Sequence, residues 1–259
     1  MLRMAQNAGT RLAVVGDDGS SAADTVWQWF TAHPWRGWAV EVVTADETNI
    51  VWGEAIEGKE WTPPWLRATN PEGAEVRYLQ YRCDPRAMLA ERSDADLLVV
   101  GRHRRKDGLE FLGSTSEWLL VHPPAPLAII RDPDPISRVV VTADGSEHSR
   151  FAMETFCSIP ASAGAAVTVL AVDDDRTDPA AADDMAQALE GRVGSVDTVV
   201  KKGRPTQQIL ETIRDTGADL VVLGTKGLTG WKRLRVGSTA GAIGRSAPCN
   251  VLVASTEAG

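Results

Sequence analysis

No apolar run in this 259-residue chain reaches the roughly 18 residues that a membrane-spanning helix needs. The N-terminal stretch MLRMAQNAGTRLAVVG has no apolar core followed by a small-residue cleavage site, so no secretory leader is expected. Cysteine is scarce. Cys83, Cys157 and Cys249 stand far apart, with neither a CxxC pair nor a zinc-type histidine spacing. That excludes a disulfide scaffold and is the usage of a reducing cytoplasm. Positive charge is in deficit, with 27 Lys and Arg against 35 Asp and Glu and a net charge of −8. A general nucleic-acid binder is basic, so nucleic acid is excluded as the expected partner, as is a membrane. The Walker pattern GxxxxGK[ST] is absent, and so is any kinase or hydrolase signature. No residue is therefore assigned a catalytic role.

What the chain does contain is a repeat. The first half opens Leu12-Ala13-Val14-Val15-Gly16-Asp17-Asp18-Gly19-Ser20, and the second opens Val139-Val140-Val141-Thr142-Ala143-Asp144-Gly145-Ser146. Each is an apolar strand that ends in Asp-Gly-Ser and feeds an amphipathic pattern. The first half closes with Ala95-Asp96, an apolar run to Gly101, then Gly113-Ser114-Thr115, then Ala125-Pro126 and Leu127 to Ile130. The second closes with Ala218-Asp219, an apolar run to Gly224, then Gly237-Ser238-Thr239, then Ala247-Pro248 and Cys249 to Val253. Landmarks recurring in one order are the mark of duplication. Pro133 and Pro135 with acidic neighbours interrupt both helix and central strand, so residues 133–136 read as a linker between 1–132 and 137–259.

Strands are expected near 138–142, 166–171, 196–201, 219–223 and 249–253. Helices are expected near 147–158, 179–190, 205–214 and 238–246. Strands with little alternation are buried on both faces. The fold class is α/β, with two tandem doubly wound domains, each a five-stranded parallel sheet flanked by helices. Ligands bind such sheets beyond the C-terminal strand ends, where strand order reverses. Gly224 to Thr239 lie there, between a strand and a helix. Glycine lets backbone approach a phosphate, and a helix N-terminus offers free N–H groups and partial positive charge.

Gly224, Gly227, Gly237 and Ser238 have the spacing Gly, two residues, Gly, nine residues, Gly, Ser. With Asp144 after the first strand and Gly203-Arg204-Pro205 before the third helix, the chain resembles the universal stress protein family in tandem form. The resemblance implies a Rossmann-like, adenine-nucleotide-hydrolase-like fold and a regulatory protein of stress adaptation that binds ATP, with or without Mg2+, in its second half. Thr142, Ala143 and Asp144 would meet the adenosine, and Val172 would flank the adenine. Gly224, Thr225 and Gly227 would admit the triphosphate, and Gly237, Ser238 and Thr239 would hold phosphates. The alternatives are a slow ATPase or self-phosphorylating protein, with Ser238 or Thr239 as acceptors, and a nucleotide-free scaffold for a protein partner. Family members dimerise through the last strand, which here predicts Ala128-Ile129-Ile130 facing Val251-Leu252-Val253, and a homodimer or protein partner remains open.

The first half departs from the pattern. Arg104 stands at the second glycine, the spacer is one residue shorter, and Cys83-Asp84-Pro85 replaces the Gly-x-Pro. ATP is not expected there, and the basic run 102–106 reads as a solvated loop. Asp144, Ser238 and Thr239 have a bland reading as turn formers and helix caps. Eight of nine tryptophans lie in the first half, which reads as packing under a loop or as an interface. Cys83 falls in a loop, so it is the thiol expected to react.

Overall fold

The computed structural model describes residues 9–48, 57–64, 69–104, 110–173, 180–225 and 237–256, without the side chains of residues 103, 104, 110 and 111. The first half contains β1 (Arg11–Gly16), α1 (Ser21–Thr31), β2 (Trp38–Ala45), β3 (Lys59–Glu60), β4 (Glu75–Tyr81), α2 (Pro85–Ala90), β5 (Leu97–Gly101), β6 (His103–Arg104), β7 (Glu110–Phe111), α3 (Ser114–Val121) and β8 (Leu127–Ile130). The second contains β9 (Arg138–Thr142), α4 (Glu147–Ser158), β10 (Ala166–Asp173), α5 (Ala180–Leu189), β11 (Ser195–Lys202), α6 (Pro205–Thr216), β12 (Leu220–Gly224), α7 (Ser238–Ser246) and β13 (Asn250–Ala254). No described helix is long and apolar enough to cross a membrane.

Eleven strands form one sheet in the order β11-β10-β9-β12-β13-β8-β5-β1-β2-β4-β3. Within each half the five main strands are parallel and doubly wound, starting from the first strand and growing outward on both sides. The halves meet at β13 and β8, which pair antiparallel with Val251 opposite Ile129, Leu252 opposite Ala128 and Val253 opposite Leu127. The facing strands anticipated from the sequence are therefore paired within one chain.

Backbone bonds repeat along with the topology. Asp96 accepts from the Leu12 N–H at 2.8 Å, and Asp219 accepts from the Arg138 N–H at 2.8 Å. Each carboxylate thus ties the start of the fourth main strand to the start of the first. The Asp-Gly-Ser turns share a cause as well: Gly19 has φ 72° and Gly145 has φ 76°, a left-handed conformation that a side chain disfavours. Ser20 and Ser146 then cap α1 and α4 by accepting from Ala23 and Ser149 N–H groups.

Alternate strand residues feed two cores. Ala13, Val15, Val139 and Val141 pack with α1, α4 and α5 on one face. Val14, Val140, Val221 and Val251 pack with α2, α3, α6 and α7 on the other. Each core runs through both halves. Between β10 and β11 the second half places α5, whereas the described residues between β2 and β4 hold no helix. Tryptophan fills that face. Trp27, Trp29, Trp35 and Trp38 are all buried, and Trp35 stacks on Phe30 at 4.2 Å and meets Trp29 and Trp38 edge-on. Edge-on and offset pairs of this kind contribute about 0.5–1.5 kcal/mol beyond their buried area. These four tryptophans are core; Trp52 and Trp65 lie outside the described residues.

Candidate nucleotide site

The strand order reverses at β9, whose chain neighbour β10 lies on one side while β12 lies on the other. The C-terminal ends of β9 and β12 therefore border one crevice. Thr142 ends β9 and bridges it, its hydroxyl donating to the Val222 carbonyl at 3.2 Å. Ala143 is buried and donates its N–H to the Leu170 carbonyl. Asp144 is half-buried and accepts from the Ser146 N–H at 3.0 Å, so its role as a turn former is real. Val172 is buried near the end of β10.

Gly224 ends β12, and its lack of a side chain has a structural cause. A Cβ there would lie 2.7 Å from the Ser149 nitrogen and 2.8 Å from the His148 carbonyl carbon, both on α4. Gly101 repeats this against the Ala22 carbonyl oxygen of α1, at 2.7 Å. The first glycine of the motif thus lets a helix close on a strand end. Gly227 and the cations Lys226, Lys232, Arg233 and Arg235 lie outside the described residues.

Thr225 is fully buried. Its N–H donates to the Ala254 carbonyl at 2.9 Å, and its own carbonyl accepts from the Gly237 N–H at 2.5 Å. Among the described residues its Oγ1 has no hydrogen-bond partner. Gly237 caps α7 with extended backbone and no side-chain bond. Ser238 is exposed and Thr239 half-buried in the first turn that follows. The contrast with α1 and α4 is informative, because those helices supply their own serine cap. Gly237 gives α7 no side-chain cap, just as Gly113 gives none to α3, and a helix start in that state favours an anion. The structure thus brings Thr142, Asp144, Thr225, Gly237, Ser238 and Thr239 to one end of the sheet.

A groove of about 580 Å³ between α4 and α5 includes Asp144 and Gly145 but none of the α7 residues. Sequence reasoning missed this groove, since Met153, Met185 and Asp184 carry no motif. It also missed a cavity of about 540 Å³ in the first half, which reaches Asp17 and the start of α3. Among the described residues no group of three or more His, Cys, Asp or Glu could hold a metal ion. Cys83 corrects an expectation. It is 6% exposed, and burial together with Asp84 pushes its thiol up, away from reactivity. Cys249 is pushed up to about 12 by burial.

The sequence profile of the universal stress protein family matches residues 10–131 and 180–255. The chain belongs to the universal stress protein family. A protein of Staphylococcus epidermidis named for that family is 46% identical over 71 residues, 27% of this chain and 43% of the relative. The match thus spans less than half the length of that relative. A counterpart from Staphylococcus saprophyticus is 30% identical over 139 residues, covering 46% of this chain and 83% of the relative. The crystal structure of a universal stress protein from Archaeoglobus fulgidus superposes with a TM-score of 0.68 at 17% identity, covering 95% of this chain and 98% of that one. This last likeness is one of fold.

Proposed function

We propose that this member of the universal stress protein family is a nucleotide-responsive regulatory protein that holds ATP in its second half. In this reading residues 137–259 form the nucleotide-holding domain, residues 1–132 a tryptophan-rich companion, and 133–136 the join. The observation that carries it is the N-terminus of α7, where Gly237 supplies no side-chain cap and Ser238 and Thr239 follow in the first turn. Phosphate oxygens supply the acceptors that a side-chain cap does not, in charge-assisted bonds. The buried Thr225 hydroxyl is a further donor without an acceptor among the described residues. Asp144 at the neighbouring strand end accepts from ribose hydroxyls, and Val172 lies beside it on the adenine side. ATP acts by binding one conformation better than another, since a ligand shifts an equilibrium only by its differential affinity.

Calorimetric titration of ATP, ADP and AMP tests this, with Ser238→Glu as the control. A carboxylate in the first turn suits the helix dipole, so the variant keeps or gains thermal stability. It also repels phosphate. One site per chain in the wild type, lost in Ser238→Glu, is the expected result. No heat with any nucleotide would leave α7 an inherited structural feature and favour the scaffold reading.

A further inference from the structure

The long sheet ends differently on its two sides. On the first-half side β3 closes it, pairing antiparallel with β4 through Lys59 opposite Gln80 and Glu60 opposite Leu79. On the second-half side the last strand is β11, which among the described residues pairs only with β10. The N–H groups of Ser195 and Gly203 donate to the Ala165 and Asp173 carbonyls on the β10 side, at 3.4 and 3.3 Å. Backbone direction alternates along a strand, so the odd-numbered residues of β11 face β10. The N–H and C=O groups of Val196, Thr198, Val200 and Lys202 therefore point outward, a row that forms a template for another strand. Val200 is 50% exposed, and it and Phe151 are the exposed large hydrophobic side chains among the described residues. Asp197 lies exposed near the start of β11. Lys201 lies near its end and bonds Asp215 of α6 at 3.1 Å.

We propose that β11 pairs with β11 of a second copy of this chain, antiparallel about a two-fold axis at Val199, so that two chains share one sheet. The register follows from the backbone. Outward residues must oppose outward residues to exchange their bonds, which pairs even numbers with even numbers. Using all four places Val196 opposite Lys202 and Thr198 opposite Val200, with Val199 on the axis. That same register sets Asp197 opposite Lys201, twice by symmetry, in the non-hydrogen-bonded pairs where side chains approach most closely. A slip of two residues either way leaves outward groups unpaired and loses both charge pairs. Parallel pairing in register would oppose Asp197 to Asp197 and Lys201 to Lys201, which is unfavourable. The edge lysines thus turn away unrelated strands, while a second β11 brings its own carboxylate to meet them. One edge of the sheet is then covered by the chain itself, through β3, and the other by a copy of the chain.

Sedimentation equilibrium of the full chain, without nucleotide, reads this association. A contact of one strand edge is small, so half-dimerisation is expected on the order of 100 µM. Thr198→Pro removes an outward N–H and no bond to β10, and proline is tolerated at such edge positions. It should unfold at nearly the wild-type temperature and weaken the dimer at least about tenfold. Asp197→Lys and Lys201→Glu each oppose like charges and should also weaken self-association about tenfold. An equimolar mixture of those two variants opposes unlike charges again and should recover the dimer. Where Thr198→Pro fails to fold, the mixture decides. A mass that stays at that of one chain up to about 1 mM would overturn the proposal. So would a dimer that Thr198→Pro leaves unchanged, or a mixture that associates no better than either variant alone.

Discussion

A single buried hydroxyl stands at the end of β12 in the second half. Thr225 is buried with its Oγ1 unpartnered among the described residues, and leaving such a group dry costs about 1–3 kcal/mol. Thr225→Val removes the hydroxyl at nearly constant shape. The free protein should therefore gain about 1 kcal/mol in denaturant unfolding, while the stabilisation conferred by saturating ATP shrinks. A variant that is less stable without ligand would show that the hydroxyl has a use inside the protein. Residues of this kind mark the limit of sequence reading. The motif pointed to Thr225 by position, but burial without a partner is a property of the folded neighbourhood. Gly224 shows the same limit in reverse. Its place in the motif suggested room for phosphate, whereas the nearest atoms belong to the α4 backbone. A sequence records only the glycine, not the backbone that closes on it.

Among the elements, strands and helices of the second half were legible almost to the residue, because each combines a periodic apolar pattern with a turn or cap signal. β9 at 138–142 and α7 at 238–246 fall where they were expected. The linker was legible as a break but not as a docked segment. Asn250, fully buried at the start of β13, accepts from the Arg131 and Asp132 N–H groups at 2.7 and 3.0 Å. His33, at the end of α1, accepts from the Ile136 N–H through Nε2 at 3.3 Å, while Nδ1 faces the Trp29 carbonyl at 2.8 Å. Those partners fix the neutral ring with its proton on Nδ1. Burial lowers the His33 pKa from the usual 6.5, outweighing the Trp29 bond that raises it. The unfolded chain then binds a proton more readily than the folded one below neutrality. Stability from this residue is present in full above about pH 6.5 and is lost as pH falls from there through the folded value. Thermal unfolding between pH 8 and pH 5 should show a fall in Tm that is smaller in His33→Leu. Parallel pH profiles for the two proteins would rule out a contribution from His33.

At the scale of the molecule, the join between β13 and β8 decides how the chain folds and what it can pair with. Both strands have neighbours on each side, so the last strand of either half is already occupied. Arg131 adds bonds across the join, its guanidinium donating to the Gly244 and Cys249 carbonyls at 2.6 and 3.1 Å, and Arg245 of α7 pairs with Glu117 of α3. The two cores continue across this line, so neither half has a complete hydrophobic cluster of its own. Cutting the chain at the linker would expose a fully buried strand edge, Val251 to Ala254, on the fragment 137–259. An unpaired apolar edge seeks another strand. The antiparallel register of β13 on β8 is one that a second β13 can reproduce, because the halves share a topology. Fragment 137–259 should therefore sediment as a dimer, whereas the intact chain unfolds in one cooperative transition in denaturant. A monomeric fragment at tens of micromolar, together with two resolved transitions in the intact chain, would show that the continuous sheet couples the halves in shape and not in energy.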